Sequence, residues 1–299
     1  MSWLMKWLLT LVVLVALSGL YLWYSYVPPR PAIGTLSTLT SGEETRGYYV
    51  SGTGPSVVLL ASLGRAASDF NELALALNRQ GYRTIAIDPP GMGDSTLMDA
   101  EGMTHHDLAR GVHQIVEHEV PAGEKIVVLG HAFGNRVART YAADYPEKVA
   151  ATILAAAGGK VPISPKARDA LSKSLWTFMP DWWRRPKVRY GFFSEGNPVP
   201  DYWMGGWSFR TALLQIETVA NTSVDDYWGA GTAPLLVVQA MDDTIAPPEH
   251  TAVLLKEEFG DRVTVAEIDN AGHALFPEQP AKIATAMLAF LAIHHPADR

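Results

Sequence analysis

The chain has 299 residues, a formal net charge of −7 and 48% apolar residues. An acidic balance argues against a nucleic-acid partner, because phosphate binding needs clustered cations. With no cysteine at all, disulfides, thiolate metal sites and a cysteine nucleophile are excluded.

The N-terminus reads differently from the rest. From Trp7 to Pro29 there is no charged residue, and Leu8 to Leu22 is almost wholly apolar. Such a run is long enough to span a bilayer. Trp3 and Trp7 at one end, and Trp23, Tyr24 and Tyr26 at the other, are placed as interfacial anchors would be. Residues 1–30 are therefore expected to be a signal anchor with a transmembrane helix and a stiff linker at Pro28 to Pro31. A signal peptide processed near Ala16-Leu17-Ser18 is the alternative. By analogy with other N-terminal anchors, the domain over 31–299 is expected outside the cytoplasm, on a bacterial-type inner membrane.

Tyr48 to Val50 reads as an early strand, and Gly52-Thr53-Gly54 as a turn. Ser56 to Leu60 is a buried strand, and Ala66 to Arg79 has helical spacing. Thr84 to Ile87 is the next strand, followed by a glycine-rich loop, Asp88-Pro89-Pro90-Gly91-Met92-Gly93-Asp94-Ser95. Thr104 to His118 is a helix; its His105, His106, His113 and His118 offer no metal face and are expected on the surface. Lys125 to Leu129 and Ala150 to Ala155 are further strands. The rhythm breaks from Gly158 to about Gly231, then resumes with strands at Leu235 to Gln239 and Val263 to Ile268. Helices at Pro247 to Phe259 and Ala281 to His294 complete the chain. Strands alternating with helices predict an α/β fold with a mostly parallel sheet covered on both faces. The interruption, about 159–231, is rich in tryptophan and is expected to be a cap.

Between the strand at 125–129 and a helical pattern beginning at Phe133 stands Gly130-His131-Ala132-Phe133-Gly134. This is the layout of a nucleophile elbow, Gly-x-Ser-x-Gly, with alanine at the centre. A methyl group cannot attack a carbonyl, so Ala132 marks the nucleophile position without being one.

On these motifs the chain resembles the α/β-hydrolase superfamily over about residues 45 to 295. The loop at 88–95, the elbow at 130–134, Asp242-Asp243 after a strand, and Asn270-Ala271-Gly272-His273 with Glu278-Gln279-Pro280 occur in that family's order. The resemblance implies His273 as base and Asp243 as its orienting acid, with Asp242 as the fallback. It also implies an oxyanion hole from the backbone N–H groups of Phe133 and Leu63. The chain departs from the family at two places: Ala132, and Ala61-Ser62 where His-Gly is common. Ser62 as a displaced nucleophile is the lesser alternative to an ordinary loop serine.

The expected function is hydrolysis of an apolar small-molecule ester, lactone or related acyl compound by a His–Asp base, with no cofactor and no metal. Ala132 is then a natural variant or an engineered knockout. The alternative is a non-hydrolytic relative: a ligand-binding protein, a His–Asp lyase or a cofactor-independent oxygenase. Trp176, Trp203 and Trp207 are expected to line the substrate pocket. Eight lysines and arginines between Lys160 and Arg189, against Asp169 and Asp181, make the cap a second candidate for contact with anionic lipid.

Overall fold

The computed structural model describes residues 3–25 and 27–297. In chain order the elements are α1 (Trp3–Ser25), β1 (Thr35–Ser41), β2 (Glu44–Ser51), β3 (Ser56–Leu60), α2 (Asn71–Asn78), β4 (Arg83–Ile87), α3 (His105–Glu119), β5 (Ile126–His131), α4 (Phe133–Asp144) and β6 (Val149–Ala155). The cap follows as α5 (Pro165–Ser174), α6 (Asp181–Phe192), α7 (Asp201–Met204), α8 (Phe209–Ala220) and α9 (Val224–Tyr227). The chain closes with β7 (Leu235–Ala240), α10 (Ala252–Phe259), β8 (Val263–Ile268) and α11 (Pro280–His294).

One eight-stranded sheet has the order β1-β2-β4-β3-β5-β6-β7-β8. β2 is antiparallel to β1 and β4, and every neighbouring pair from β4 to β8 is parallel. This is the α/β-hydrolase arrangement. The central strands β3, β5 and β7 are buried along their whole length. A strand covered on both faces reads as a continuous apolar run. Two apolar layers result: α3 and α4 pack on one face with α10, while α2 and α11 pack on the other. β1, Thr-Leu-Ser-Thr-Leu-Thr-Ser, was not expected; it is an exposed edge strand paired only to β2.

The expected transmembrane helix is overturned. α1 is a single helix of 23 residues, but no helix among the described residues is long and apolar enough to cross a membrane. Polar groups interrupt it. Lys6 opens the run, Thr10 Oγ1 donates to the Lys6 carbonyl at 3.0 Å, and the Tyr21 hydroxyl donates to the Phe178 carbonyl in the cap at 2.5 Å. Past its end, Gly206 N–H donates to the Val27 carbonyl at 2.8 Å. The end of the segment is tied to the cap. Of its expected aromatic anchors, Tyr26 and the side chains of Trp23 and Tyr24 lie outside the described residues.

The elbow glycines are required by close approach. A Cβ on Gly130 would collide with the Gly134 backbone, and a Cβ on Gly134 with the Leu60 carbonyl. Helix α4 can start directly over β3 and β5 only because both side chains are absent. Gly134→Ala is expected to cost about 1–3 kcal/mol through overpacking. Chemical denaturation checks this, and unchanged stability would contradict it.

Candidate active site

At the C-terminal edge of the sheet the chain turns sharply between β5 and α4. Ala132 takes φ 48 and ψ −108 there, a conformation that costs a non-glycine residue about 1–3 kcal/mol. The surroundings over-determine it. Ala132 N–H donates to the Ala155 carbonyl at 2.9 Å. Asn135 Nδ2, buried one turn on, donates to the Ala155 and Ala156 carbonyls at 2.7 and 3.1 Å.

His273 lies on the loop between β8 and α11. Its Nδ1 stands 2.8 Å from Asp243 Oδ2 and 3.0 Å from Oδ1, with both residues buried. Asp243 is itself held, since its Oδ1 accepts the Ile245 and Ala246 N–H groups at 2.8 Å each. Asp242 is used elsewhere: its carboxylate accepts the Ser194 hydroxyl at 2.6 Å. So Asp243, of the adjacent pair, is the one that orients the imidazole.

Two residues position the histidine loop. His131 Nε2 donates to the His273 carbonyl at 2.8 Å. Burial, and then the neighbouring His273, push the His131 pKa down to about 4, so it stays neutral. Glu278 accepts Gly272 N–H at 2.7 Å, and Ser194 N–H and Asn197 Nδ2 at 2.8 Å each. It joins the histidine loop to the cap, and burial raises its pKa. In the loop at 88–95, Asp88 accepts Ala67 N–H at 2.8 Å and is pushed up to about 6, mainly by burial.

Ala132, Phe133, Ser62, Leu63 and His273 open on one cavity of about 210 Å³ beneath the cap, with Phe192, Ile163 and Ile245 among its apolar walls. On the Ser62 to Arg65 turn, Gly64 N–H donates to the Gln215 side chain at 2.7 Å, and Arg65 N–H to the Ser62 carbonyl at 3.1 Å. The residue between Ser62 and Gly64 is Leu63. Phe133, as the first residue of α4, has an N–H with no intrahelical acceptor. Both residues line the cavity that holds Ala132.

The three tryptophans expected in the pocket are placed outside it. Trp203 and Trp207 are fully buried beside the Arg65 guanidinium, whose carbon is 4.4 and 4.7 Å from their ring centroids. A buried cation needs such neighbours, and they form a layer behind Phe192, whose ring is 5.7 Å from that of His273. Trp176 stacks outward on Phe178 and Trp183 at 6.0 and 5.7 Å. The basic run is likewise dispersed. Arg184 is buried against the Met204 carbonyl, while Lys160, Lys173 and Arg185 pair with Glu258, Asp169 and Asp201. His105, expected on the surface, is wholly buried, with its ring against Phe133 and Tyr227 at 5.7 and 5.0 Å.

One further polar residue, Arg136, lines the cavity and belongs to none of the motifs. It follows Ala132 by four residues, so both lie on one face of the helix that the elbow begins. That spacing was the available signal. Among the described residues no group of histidines and carboxylates could hold a metal ion.

The family described as "Serine aminopeptidase, S33" matches residues 54–280. Among curated relatives, the "Putative carbamate hydrolase RutD" of Variovorax paradoxus is 29% identical over 269 residues, covering 82% of this chain and 95% of that protein. Among solved structures, a thermophilic esterase from Thermogutta terrifontis superposes with a TM-score of 0.72 at 22% identity, over 88% of this chain and 100% of that one. A bromoperoxidase from Bacillus anthracis also gives 0.72, at 21% identity, over 86% and 99%. At these identities the two structural likenesses speak for the fold alone.

Proposed function

Because the chain belongs to the serine aminopeptidase S33 family of α/β-hydrolases, we propose that it hydrolyses an apolar small-molecule ester, lactone or related acyl compound. Water is the nucleophile, and the His273–Asp243 pair is the general base. The observation that carries this reading is the intact, buried hydrogen bond between His273 and Asp243, facing the same cavity as a side chain that cannot attack.

With Nδ1–H donated to Asp243, the imidazole presents Nε2 as its basic nitrogen. Nε2 takes a proton from water as the water oxygen bonds to the acyl carbon. Charge moves to the carbonyl oxygen, which the Phe133 and Leu63 N–H groups stabilise. The bond to the leaving oxygen then breaks, and the imidazolium returns the proton to it. No covalent acyl-enzyme forms, and Ala132 leaves room for the water. A positioned general base contributes about 10²- to 10⁴-fold.

A panel of p-nitrophenyl esters of different chain length tests this. His273→Ala and Asp243→Asn are each expected to lower kcat/KM by about 10²-fold or more, with the fold checked by circular dichroism. Absence of turnover above buffer, in the native protein and in Ala132→Ser alike, would refute the reading. Ala132 by itself favours a second reading, a binding protein or a His–Asp lyase or oxygenase. Under it, a tightly bound ester is recovered unchanged.

A further inference from the structure

Arg136 is the one permanently charged residue among those that line the cavity; the rest of the lining is apolar, apart from Ser62, His273 and backbone. It is half-buried. Its Nη1 donates to the Tyr227 hydroxyl, and its guanidinium carbon lies 5.8 Å from the Tyr227 ring centroid. Neither contact neutralises the charge. No Asp or Glu among the described residues pairs with Arg136. The nearby His105 cannot add to or balance it, since burial, and then the Arg136 charge, hold its pKa down at about 3.

A cation in an apolar cavity, hydrogen-bonded only to a neutral phenol, is a poor arrangement unless an anion joins it. The wall beside it is open. Gly159 has φ 151, and a Cβ built there would sit 3.7 Å from both Arg136 Nη1 and Tyr227 Oη. Gly158 precedes it on the same cavity wall. With no side chain at Gly159, there is room beside the guanidinium for it to present two parallel N–H groups to a planar carboxylate. Arg136 is about one helical turn, some 6 Å, from Ala132 along α4. Both residues line the same cavity, so a ligand with its acyl carbon at the elbow has Arg136 on the wall of its pocket.

We propose that the cavity is selective for acyl compounds carrying a carboxylate a few carbons from the scissile carbonyl, and that Arg136 is the residue that binds it. This rests on the hydrolytic reading for the reaction, but not for the binding. Tyr227 positions the guanidinium, and the apolar walls take the intervening methylenes. The leaving group is not specified by this contact.

The test uses a matched pair, monoethyl adipate and ethyl hexanoate, which differ by the terminal carboxylate. Binding is measured by titration calorimetry, and turnover by ethanol release. The native protein is expected to bind the adipate monoester at least tenfold more tightly. Arg136→Gln is expected to lose that preference and Arg136→Lys to keep only part of it, since an ammonium supplies the charge but not the bidentate fork, with thermal melts confirming that both fold. Equal affinity for the two ligands, no detectable binding of either, or a preference that survives Arg136→Gln would overturn the proposal. Ester turnover without carboxylate preference would sink it and leave the hydrolytic reading standing. Carboxylate-selective binding without ethanol release would do the reverse.

Discussion

Ala132→Ser is expected to raise kcat/KM for short aryl esters by roughly 10³-fold and to introduce an acyl-enzyme burst. In serine hydrolases, removing one triad member costs several orders of magnitude and leaves a residue of activity from the oxyanion hole and binding. Here the other parts are in place. The backbone at 132 already has the elbow conformation, with φ 48 and ψ −108. His273 is oriented by both oxygens of Asp243 at 2.8 and 3.0 Å. Ala132, Phe133, Leu63 and His273 share one cavity, and a hydroxyl adds a single atom to a site that faces open space. The change is read by stopped-flow release of p-nitrophenolate. A gain below about tenfold would mean that Nε2 of His273 does not reach the position a serine oxygen would take.

Asp69→Ala is expected to cost about 3–5 kcal/mol of folding stability, the range for removing one partner of a buried ion pair. Arg65 and Asp69 meet through two hydrogen bonds, Nε to Oδ2 at 2.7 Å and Nη2 to Oδ1 at 2.6 Å, with 2% and 5% of their side chains exposed. Arg65 Nη1 also donates to the Gly205 carbonyl at 2.7 Å, so the pair ties the cap to the loop after β3. Without Asp69 the guanidinium is left between Trp203 and Trp207 with no countercharge. Urea unfolding gives the number, and a loss under about 1 kcal/mol would contradict it. The double change Arg65→Met with Asp69→Leu should recover much of the loss, since no unpaired charge then remains buried.

These two sites also show what a sequence discloses and what it withholds. The sheet was legible because β3, β5, β6 and β7 are covered on both faces and therefore read as unbroken apolar runs. β1 was not, because an exposed edge strand of threonine and serine carries no such mark. Asp243, His273 and the elbow turn stood out as local motifs in order, and the structure brings Asp243 and His273 into hydrogen-bond contact. The choice between Asp242 and Asp243 depends on a turn, since only Asp243 folds back onto the N–H groups of residues 245 and 246.

The tryptophans misled for a different reason. Trp203 and Trp207 are buried with Arg65, more than a hundred residues earlier in the chain, and no local pattern announces a long-range cation partner. The N-terminal run forms a helix as its apolar pattern suggested, but no helix among the described residues is long and apolar enough to cross a membrane. Arg136 was available from helical spacing alone, four residues past the elbow, but a lone arginine on an otherwise ordinary helix gives no reason to look.

In the proposed reaction His273 activates water directly, at an elbow that carries alanine in place of a nucleophile. Pre-steady-state hydrolysis of p-nitrophenyl butyrate, followed together with intact-protein mass spectrometry, tests it most directly. Linear release with no burst, no acyl adduct on the native protein, and a rate about 10²-fold or more lower in His273→Ala are expected. A stoichiometric burst with a butyryl adduct on the native protein, or an undiminished rate in His273→Ala, would contradict it.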